Sequence, residues 1–182
     1  MDIWSRIKDD EVVKFGWRTL VKKTFKQPDG KSAEYITKEA VGTVCCAVLA
    51  LTKNNQVVIA KQFRQGPEKV MHELPGGRAD FGELPQDAAL RELVEETGYV
   101  PESVEYLGKL YKDAYSNATF YYYLGLGCTD SGNQKLDSGE FIDVELISIS
   151  QLFDNAKNGK MCDTDAIFLA YEKLKEAQGG KI

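Results

Sequence analysis

The chain has a single histidine, His72, in 182 residues. That excludes any site built from several histidines, such as a three-histidine zinc centre. Its four cysteines, Cys45, Cys46, Cys128 and Cys162, form no C-x-x-C pair, so neither a zinc ribbon nor thioredoxin-type chemistry has support. Cys45 and Cys46 are neighbours in an apolar run. Adjacent strand residues face opposite ways, so this pair is not expected to bridge. Basic charge is also short: 23 Lys+Arg stand against 28 Asp+Glu, a net charge of −5. This speaks against nucleic acid or an anionic membrane as partner, since both select a basic face. The longest apolar run, residues 44–51, is far too short to span a bilayer. The opening MDIWSRIKDDE carries charge where a signal peptide needs apolar residues. The expectation is a soluble, cytoplasmic protein without a nucleic-acid or membrane partner. Any metal would be held mainly by carboxylates, which points to a hard ion.

What is present is an ordinary globular composition, 43% apolar and 28% charged. The length suits one domain, or one domain with a small appendage. Residues 12–27, rich in Val, Phe, Trp and Thr, are followed by the turn signal Pro28-Asp29-Gly30 and a second mixed segment near 33–40. Residues 1–40 thus read as a small antiparallel β appendage, and 41–182 as the main domain. Strands are expected over 42–51, 56–63, 70–75 (breaking at Pro75-Gly76-Gly77), 104–112, 118–126 and 141–149. A helix over 85–97 has Pro85 in its first turn and Gly98 at the position after its end, although Leu84 is a poor N-cap. Ser150 is expected to cap a short helix over 151–157, and Asp163 a final helix to about Ala177, with a frayed tail over 178–182. Strands and helices mix, so the class is α/β or α+β.

The acids are unevenly spread. Residues 83–96 hold five acids and one base, and so do residues 129–145; each stretch carries −4, leaving +3 on the rest. On the 85–97 helix, Ala89, Leu90, Leu93 and Val94 form a packing face, with Glu92, Glu95 and Glu96 expected on the opposite face. Carboxylates at i, i+3 and i+4 repel one another by a few tenths of a kcal/mol per pair, roughly, and two lie in the last turn, where the helix dipole also disfavours them. A bound cation relieves both penalties. Gly76-Gly77 can bring backbone close to a ligand, and Arg91 can pair with Glu83 to hold the preceding loop on the helix.

Residues 77–99 read GRADFGELPQDAALRELVEETGY. This resembles the Nudix box, G-x5-E-x7-R-E-U-x-E-E-x-G-U with U apolar. Gly77, Glu83, Arg91, Glu92, Glu95, Glu96 and Gly98 occupy every fixed position; Leu93 and Tyr99 occupy the U positions. The resemblance implies an α/β class fold, the Nudix α/β/α sandwich, over about 41–177. It also implies hydrolysis of a nucleoside diphosphate linked to another moiety, with Mg2+ (or Mn2+ as substitute). Carried over, Glu92 and Glu96 are direct metal ligands, Glu95 binds a second metal or its water, and Gly76 offers its carbonyl. Glu83 and Arg91 are structural support.

The resemblance extends to QFRQGPEKVMHELPGG, residues 62–77, which is similar to the segment before the box in ADP-ribose and nucleoside diphosphate sugar pyrophosphatases. It implies that Arg64 contacts substrate phosphate and that Glu73 supports the substrate site; His72 is expected to pack rather than catalyse. The appendage is similar to the small sheet exchanged across a homodimer in that subfamily, with Trp17 and Tyr35 where relatives stack aromatics on the nucleobase. Residues 137–145, DSGEFIDVE, resemble a loop whose glutamate is the general base, which makes Glu140 the candidate, with Glu95 next. One departure stands out. Ala114-Tyr115 replaces the Pro-Gly common in ADP-ribose pyrophosphatases, and tyrosine near this offset marks dinucleoside polyphosphate hydrolases. The expected activity is therefore cleavage of nucleoside diphosphate sugars, ADP-ribose and GDP-mannose included, to a nucleoside monophosphate and a sugar 1-phosphate. The alternatives are a dinucleoside polyphosphate hydrolase and a non-catalytic nucleotide-sensing module; modules of that kind tend to lose box carboxylates, and all three are kept here.

Overall fold

The structure, a computed structural model, describes residues 3–179; the end of the expected frayed tail lies outside them. The chain forms two compact units, one of residues 1–44 and 111–120, the other of 45–110 and 121–182. The first unit is thus larger than the division at residue 40 drawn from the sequence. It also takes in residues 111–120, which the sequence places in the main domain.

In the first unit, β1 (Ser5–Arg6), β2 (Glu11–Phe15), β3 (Arg18–Lys26) and β4 (Ser32–Lys38) form an antiparallel sheet. β1 and β2 share one edge of β3, and β4 takes the other. The stretch expected as one segment over 12–27 is two strands, because Gly16 (φ 59°) turns the chain between Phe15 and Arg18. The expected turn at Pro28-Asp29-Gly30 joins β3 to β4, with Asp29 Oδ1 accepting from the Lys31 N–H at 3.0 Å. The 111–120 segment is sewn to β4. Lys38 N–H donates to the Tyr115 carbonyl (2.7 Å), and Asn117 Nδ2 reaches both Thr37 Oγ1 (2.9 Å) and the Glu39 carbonyl (2.8 Å).

The second unit is built on β5 (Val44–Thr52), β6 (Gln56–Arg64), β7 (Lys69–Glu73), β8 (Gly76–Arg78), β9 (Tyr99–Val100), β10 (Ser103–Leu110), β11 (Thr119–Asp130) and β12 (Asp143–Ser148). The central order is β10-β11-β5-β6-β12. β5 and β6 look like a hairpin, yet they pair only at Leu51↔Val57. Beyond that rung they part, and the 69–78 segment lies between them. β7 pairs with β6 (Ala60↔Glu73 to Arg64↔Lys69), and β8 pairs with β5 (Cys45↔Arg78 to Ala47↔Gly76). Pro75 sits at the crossing, where it has no N–H to satisfy and its carbonyl accepts from Val48 N–H at 2.9 Å. The Pro-Gly-Gly expected to end a strand therefore begins another. Gly76 is required there, because a Cβ would lie 2.2 Å from the Cys46 carbonyl oxygen and 2.6 Å from Ala47 Cα. Gly76→Ala is expected to overpack this crossing by about 1–3 kcal/mol. That is about 5 °C in Tm for a chain of this size, measurable by thermal melting.

Helix α1 (Pro85–Thr97) has the expected bounds. Leu84 gives no side-chain cap, and Gly98 closes the end at φ 77° with its N–H on the Val94 carbonyl. Ala88, Ala89 and Leu93 pack on Val48, Ala50, Val58 and Tyr123; full burial of Leu93 contributes about 2 kcal/mol. Val57 and Ile59, pointing the other way, are equally buried, and α2 (Ile149–Lys157) packs on β6 and β12. The cap of α2 is Ser148, whose Oγ accepts from Gln151 N–H at 3.1 Å, not Ser150. The single helix expected after Asp163 is two, α3 (Thr164–Leu169) and α4 (Tyr171–Ala177). None of the described helices is long and apolar enough to cross a membrane, and the four cysteines are thiols, not joined in disulfides.

Candidate active site

The second unit gathers its acids around α1. Glu96 is not on an exposed face opposite the core as expected; it is 5% exposed. The helical period explains this: Glu96 lies seven residues after Ala89 and three after Leu93, which returns it to the packing stripe. There the Gly76 N–H donates to Glu96 Oε2 at 2.8 Å, so β8 and α1 meet through this carboxylate. Gly77 forms the floor under Glu92, since a Cβ on it would lie 2.5 Å from Glu92 Oε1. Glu95 is the outermost of the three.

Arg91 organises the remainder. Its Nε and Nη2 hold both oxygens of Glu83 (2.9 and 3.0 Å), while Nη1 reaches Glu92 Oε1 (3.0 Å) and Glu95 Oε2 (2.9 Å). Glu83 also accepts from the Asp80 N–H at 2.8 Å, which closes the loop onto the helix. The Arg91 hydrogen bonds hold the Glu83 carboxyl down at about 2. Burial pushes the Glu92 carboxyl up, and pushes Glu96 up to about 8, with the charges of Glu92, Glu140 and Glu73 adding to the shift. Glu140 sits half-buried in the loop before β12, and its charge reaches both ligand candidates.

On β6, Arg64 donates from Nε to Glu73 Oε1 at 2.6 Å and from Nη2 to Oε2. Glu73 is 5% exposed and also accepts from Gln62 Nε2 at 3.3 Å, while the Arg64 side chain keeps 42% of its surface. Glu73 thus orients Arg64 from beneath. The turn before α3 supports the same segment. His72 N–H donates to the Lys160 carbonyl (2.8 Å), Leu74 N–H donates to Asp163 Oδ2 (3.3 Å), and the charge of Glu73 reaches the Cys162 thiol. Asp163 caps no N–H of α3 through its side chain; the carboxylate serves the β7 end instead. His72 packs beside Asn155, with Nδ1 3.3 Å from its amide nitrogen. The sequence assigns Gln62, Cys162 and Asp163 no part in this site, Asp163 being expected only as a helix cap. Only Gln62 had a local signal, sharing a strand face with Arg64.

The donor set of glutamates fits a hard divalent cation, and the mutual repulsion of Glu92, Glu96 and Glu140 is the excess charge such an ion balances. Among the described residues, no three acidic, cysteine or histidine side chains stand as a ready ligand cluster. Arg91 engages Glu92 and Glu95, and the Gly76 N–H engages Glu96. For the metal-free protein the linkage has a definite sign. The unfolded Glu96 loses its proton near 4.5 and the folded one near 8, so stability present below 4.5 is lost as pH rises through 8. Melting in chelator is expected to give a Tm that falls from pH 5 to pH 8, and excess divalent cation should flatten that slope.

The first unit carries an aromatic cleft of about 360 Å³ among Trp4, Phe25, Tyr35, Lys23 and residues 114–117. Trp4 and Phe25 contact the Tyr35 ring at centroid distances of 5.8 and 6.1 Å. Trp17 is elsewhere, at the β2–β3 turn, 74% exposed with the Arg18 guanidinium 4.0 Å over its ring. Tyr35 faces Lys23, five residues from Arg18 along β3, or about 17 Å. Trp17 and Tyr35 are therefore not brought together within one chain.

The family model of the NUDIX domain matches residues 43–169. A methanol dehydrogenase activator of Bacillus methanolicus is 31% identical over 153 residues, 82% of each chain. An ADP-ribose pyrophosphatase of Bacillus subtilis is 29% identical over 154 residues, again 82% of each. Among solved structures, an ADP compounds hydrolase has the same fold, with a TM-score of 0.83 at 18% identity over 100% of this chain and 98% of that one. Nudix hydrolases generally use a divalent metal. The match begins in the residues leading into β5, runs through the wedge and the carboxylate helix, and ends with α3, so the chain belongs to the Nudix family of hydrolases.

Proposed function

We propose that this chain hydrolyses the pyrophosphate of nucleoside diphosphate sugars in a Mg2+-dependent reaction, with Mn2+ as a substitute. The products are a nucleoside monophosphate and a sugar phosphate. The observation that carries the reading is the Arg64 guanidinium, aligned by buried Glu73 beside the carboxylate helix with its Nη1 donors uncommitted to that pair. A planar, permanently charged fork suits a phosphate oxygen. The relative from Bacillus subtilis, an ADP-ribose pyrophosphatase, supports the same substrate class.

Glu92 and Glu96 would hold the cation, with Glu95 and the Gly76 carbonyl completing the set. When bound, the ion supplies charge neutralisation at the pyrophosphate oxygens. Arg64 binds and orients the phosphate. Glu140 takes the proton from the attacking water as the P–O–P bond breaks. Tyr35 in the aromatic cleft and the exposed Trp17 are the aromatic faces that the first unit offers to a nucleobase, Trp17 being available to a second copy. Val12, Val13, Phe15, Trp17 and Ile36, exposed on the first unit, suit a homodimer contact. Tyr115 lines the cleft and favours a second reading, hydrolysis of dinucleoside polyphosphates.

The test is a substrate panel with Mg2+, comprising ADP-ribose, GDP-mannose, dinucleoside polyphosphates and nucleoside triphosphates, with sedimentation run alongside. The expected result is a dimer whose highest kcat/KM is on a nucleoside diphosphate sugar. Activity should be lost in chelator and restored by Mg2+. A preference for triphosphates or dinucleoside polyphosphates, or full activity after exhaustive chelation, would overturn the assignment.

A further inference from the structure

An α-helix cannot satisfy its own last carbonyls. At the end of α1 the chain from 131 to 135 does so. Lys135 N–H donates to the Glu95 carbonyl (2.8 Å), and the Ser131 N–H and hydroxyl both donate to Gly98 (2.9 and 2.7 Å). Gly98 leaves room for this cover, because a Cβ there would lie 3.2 Å from Gln134 N. Gln134 differs from its neighbours in making two connections with one group. Its Nε2 donates to the Glu96 carbonyl at 2.8 Å and reaches the Ile142 carbonyl at 3.4 Å. Two carbonyl acceptors require the amide nitrogen, not its oxygen, on that side.

The span between those contacts carries Glu140. It turns back on itself: Glu140 N–H donates to the Asp137 carbonyl, and Asp137 N–H to Glu140 Oε2, both at 3.0 Å. Gly139, with a positive φ of 93°, lies within the turn, and Gly132, at φ 70°, precedes the segment. The loop is therefore tied down at its two ends, and Gln134 ties one end to the other through the residue that bears the Glu96 carboxylate.

We propose that Gln134 is a positioning residue for Glu140: its amide clamps the loop from 134 to 142 onto the end of the carboxylate helix and so delivers the Glu140 carboxylate to the Glu92–Glu96 side. The proposal rests on the reading of Glu140 as the group that takes the proton from the attacking water. A glutamate at 134 cannot do this work, because an ionised carboxylate has no donor for either carbonyl.

The test is a double-mutant cycle on the Mg2+-loaded full chain with the best substrate of the panel. Glu140→Gln is expected to lower kcat by about 10²-fold or more. Gln134→Met keeps the side-chain volume without a donor. It should lower kcat about tenfold, as for a displaced catalytic group, with KM within about twofold. In the Glu140→Gln background the same substitution should change kcat by less than about twofold, because the group it positions is already gone. Gln134→Lys keeps donors at similar reach and should recover most of the loss. An equal loss in both backgrounds would make Gln134 a helix cap only and overturn the proposal, as would wild-type kcat in Gln134→Met. Wild-type kcat in Glu140→Gln would instead remove the base assignment on which the proposal rests. A Gln134→Met variant that does not fold, set against a folded, active Gln134→Lys, would also count against it, since its role would then be structural.

Discussion

Glu96→Gln is expected to lower kcat about 10³-fold while leaving the metal-free protein as stable as wild type or more so. The two effects have opposite signs for one reason. Glu96 is buried with the Gly76 N–H on its carboxylate, and burial first, then the charges of Glu92, Glu140 and Glu73, raise its carboxyl to about 8. A glutamine there still accepts from the Gly76 N–H, but it removes a charge that the interior disfavours. Stability therefore does not suffer, and in chelator at pH 8 the Tm should rise. Catalysis does suffer. The charge lost is one of the groups expected to hold the cation, and an ion's stabilisation of a phosphoryl transition state is worth several kcal/mol, about 10³-fold in rate. Such a trade of stability for activity is the signature of a functional rather than a structural carboxylate. Steady-state kinetics with Mg2+ and melting in chelator test both halves. A kcat within about tenfold of wild type would remove Glu96 from the reaction.

Arg64→Ala is expected to act on binding and stability together. The substitution leaves Glu73, 5% exposed, without its bidentate partner. Breaking a fully buried pair costs about 3–5 kcal/mol, and the exposed half of Arg64 reduces this to about 2 kcal/mol. KM for the nucleotide should rise at least about tenfold, the equivalent of one lost charge-assisted contact to phosphate. The double variant Arg64→Ala/Glu73→Leu separates the two effects, since it removes the orphaned charge and should regain the stability while KM stays high. Recovery of KM in the double variant would mean that Arg64 acts on the fold alone and not on the phosphate.

The bounds of α1 were legible because Pro85 and Gly98 each carry a backbone preference that survives any tertiary context. The box residues were legible because their spacing is local. The depth of Glu96 was in the sequence too, as the seven-residue step from Ala89, but a carboxylate on a packing stripe reads as surface until something is known to need it there. What could not be read was non-local. Gly76-Gly77 looks like a strand terminator on its own, and it becomes a strand only because β5 has an edge left open. Residues 111–120 show no pattern that ties them to the first unit; the bonds of Asn117 to Thr37 and Glu39 do so from about 80 residues away. Asp163 reads as a cap in sequence because the helix after it is local, whereas the N–H it serves belongs to Leu74. Tyr35 found its aromatic partners in Trp4 and Phe25, not in Trp17, because the hairpin at Gly16 sends Trp17 to the other end of β3.

The wedge between β5 and β6 also bears on how the chain reaches its native state. A simple hairpin zips outward from its turn, each rung closing a small loop. Here zipping stops at the first rung, Leu51↔Val57, and every further rung on the facing edges of β5 and β6 must come from residues 69–78. The centre of the sheet therefore closes only when a later piece of chain is threaded between two earlier strands. That same step brings Gly76 under Glu96 and Glu73 under Arg64. Formation of the sheet and assembly of the proposed site are then one event, and any local opening that releases this segment would disperse those residues before the chain unfolds.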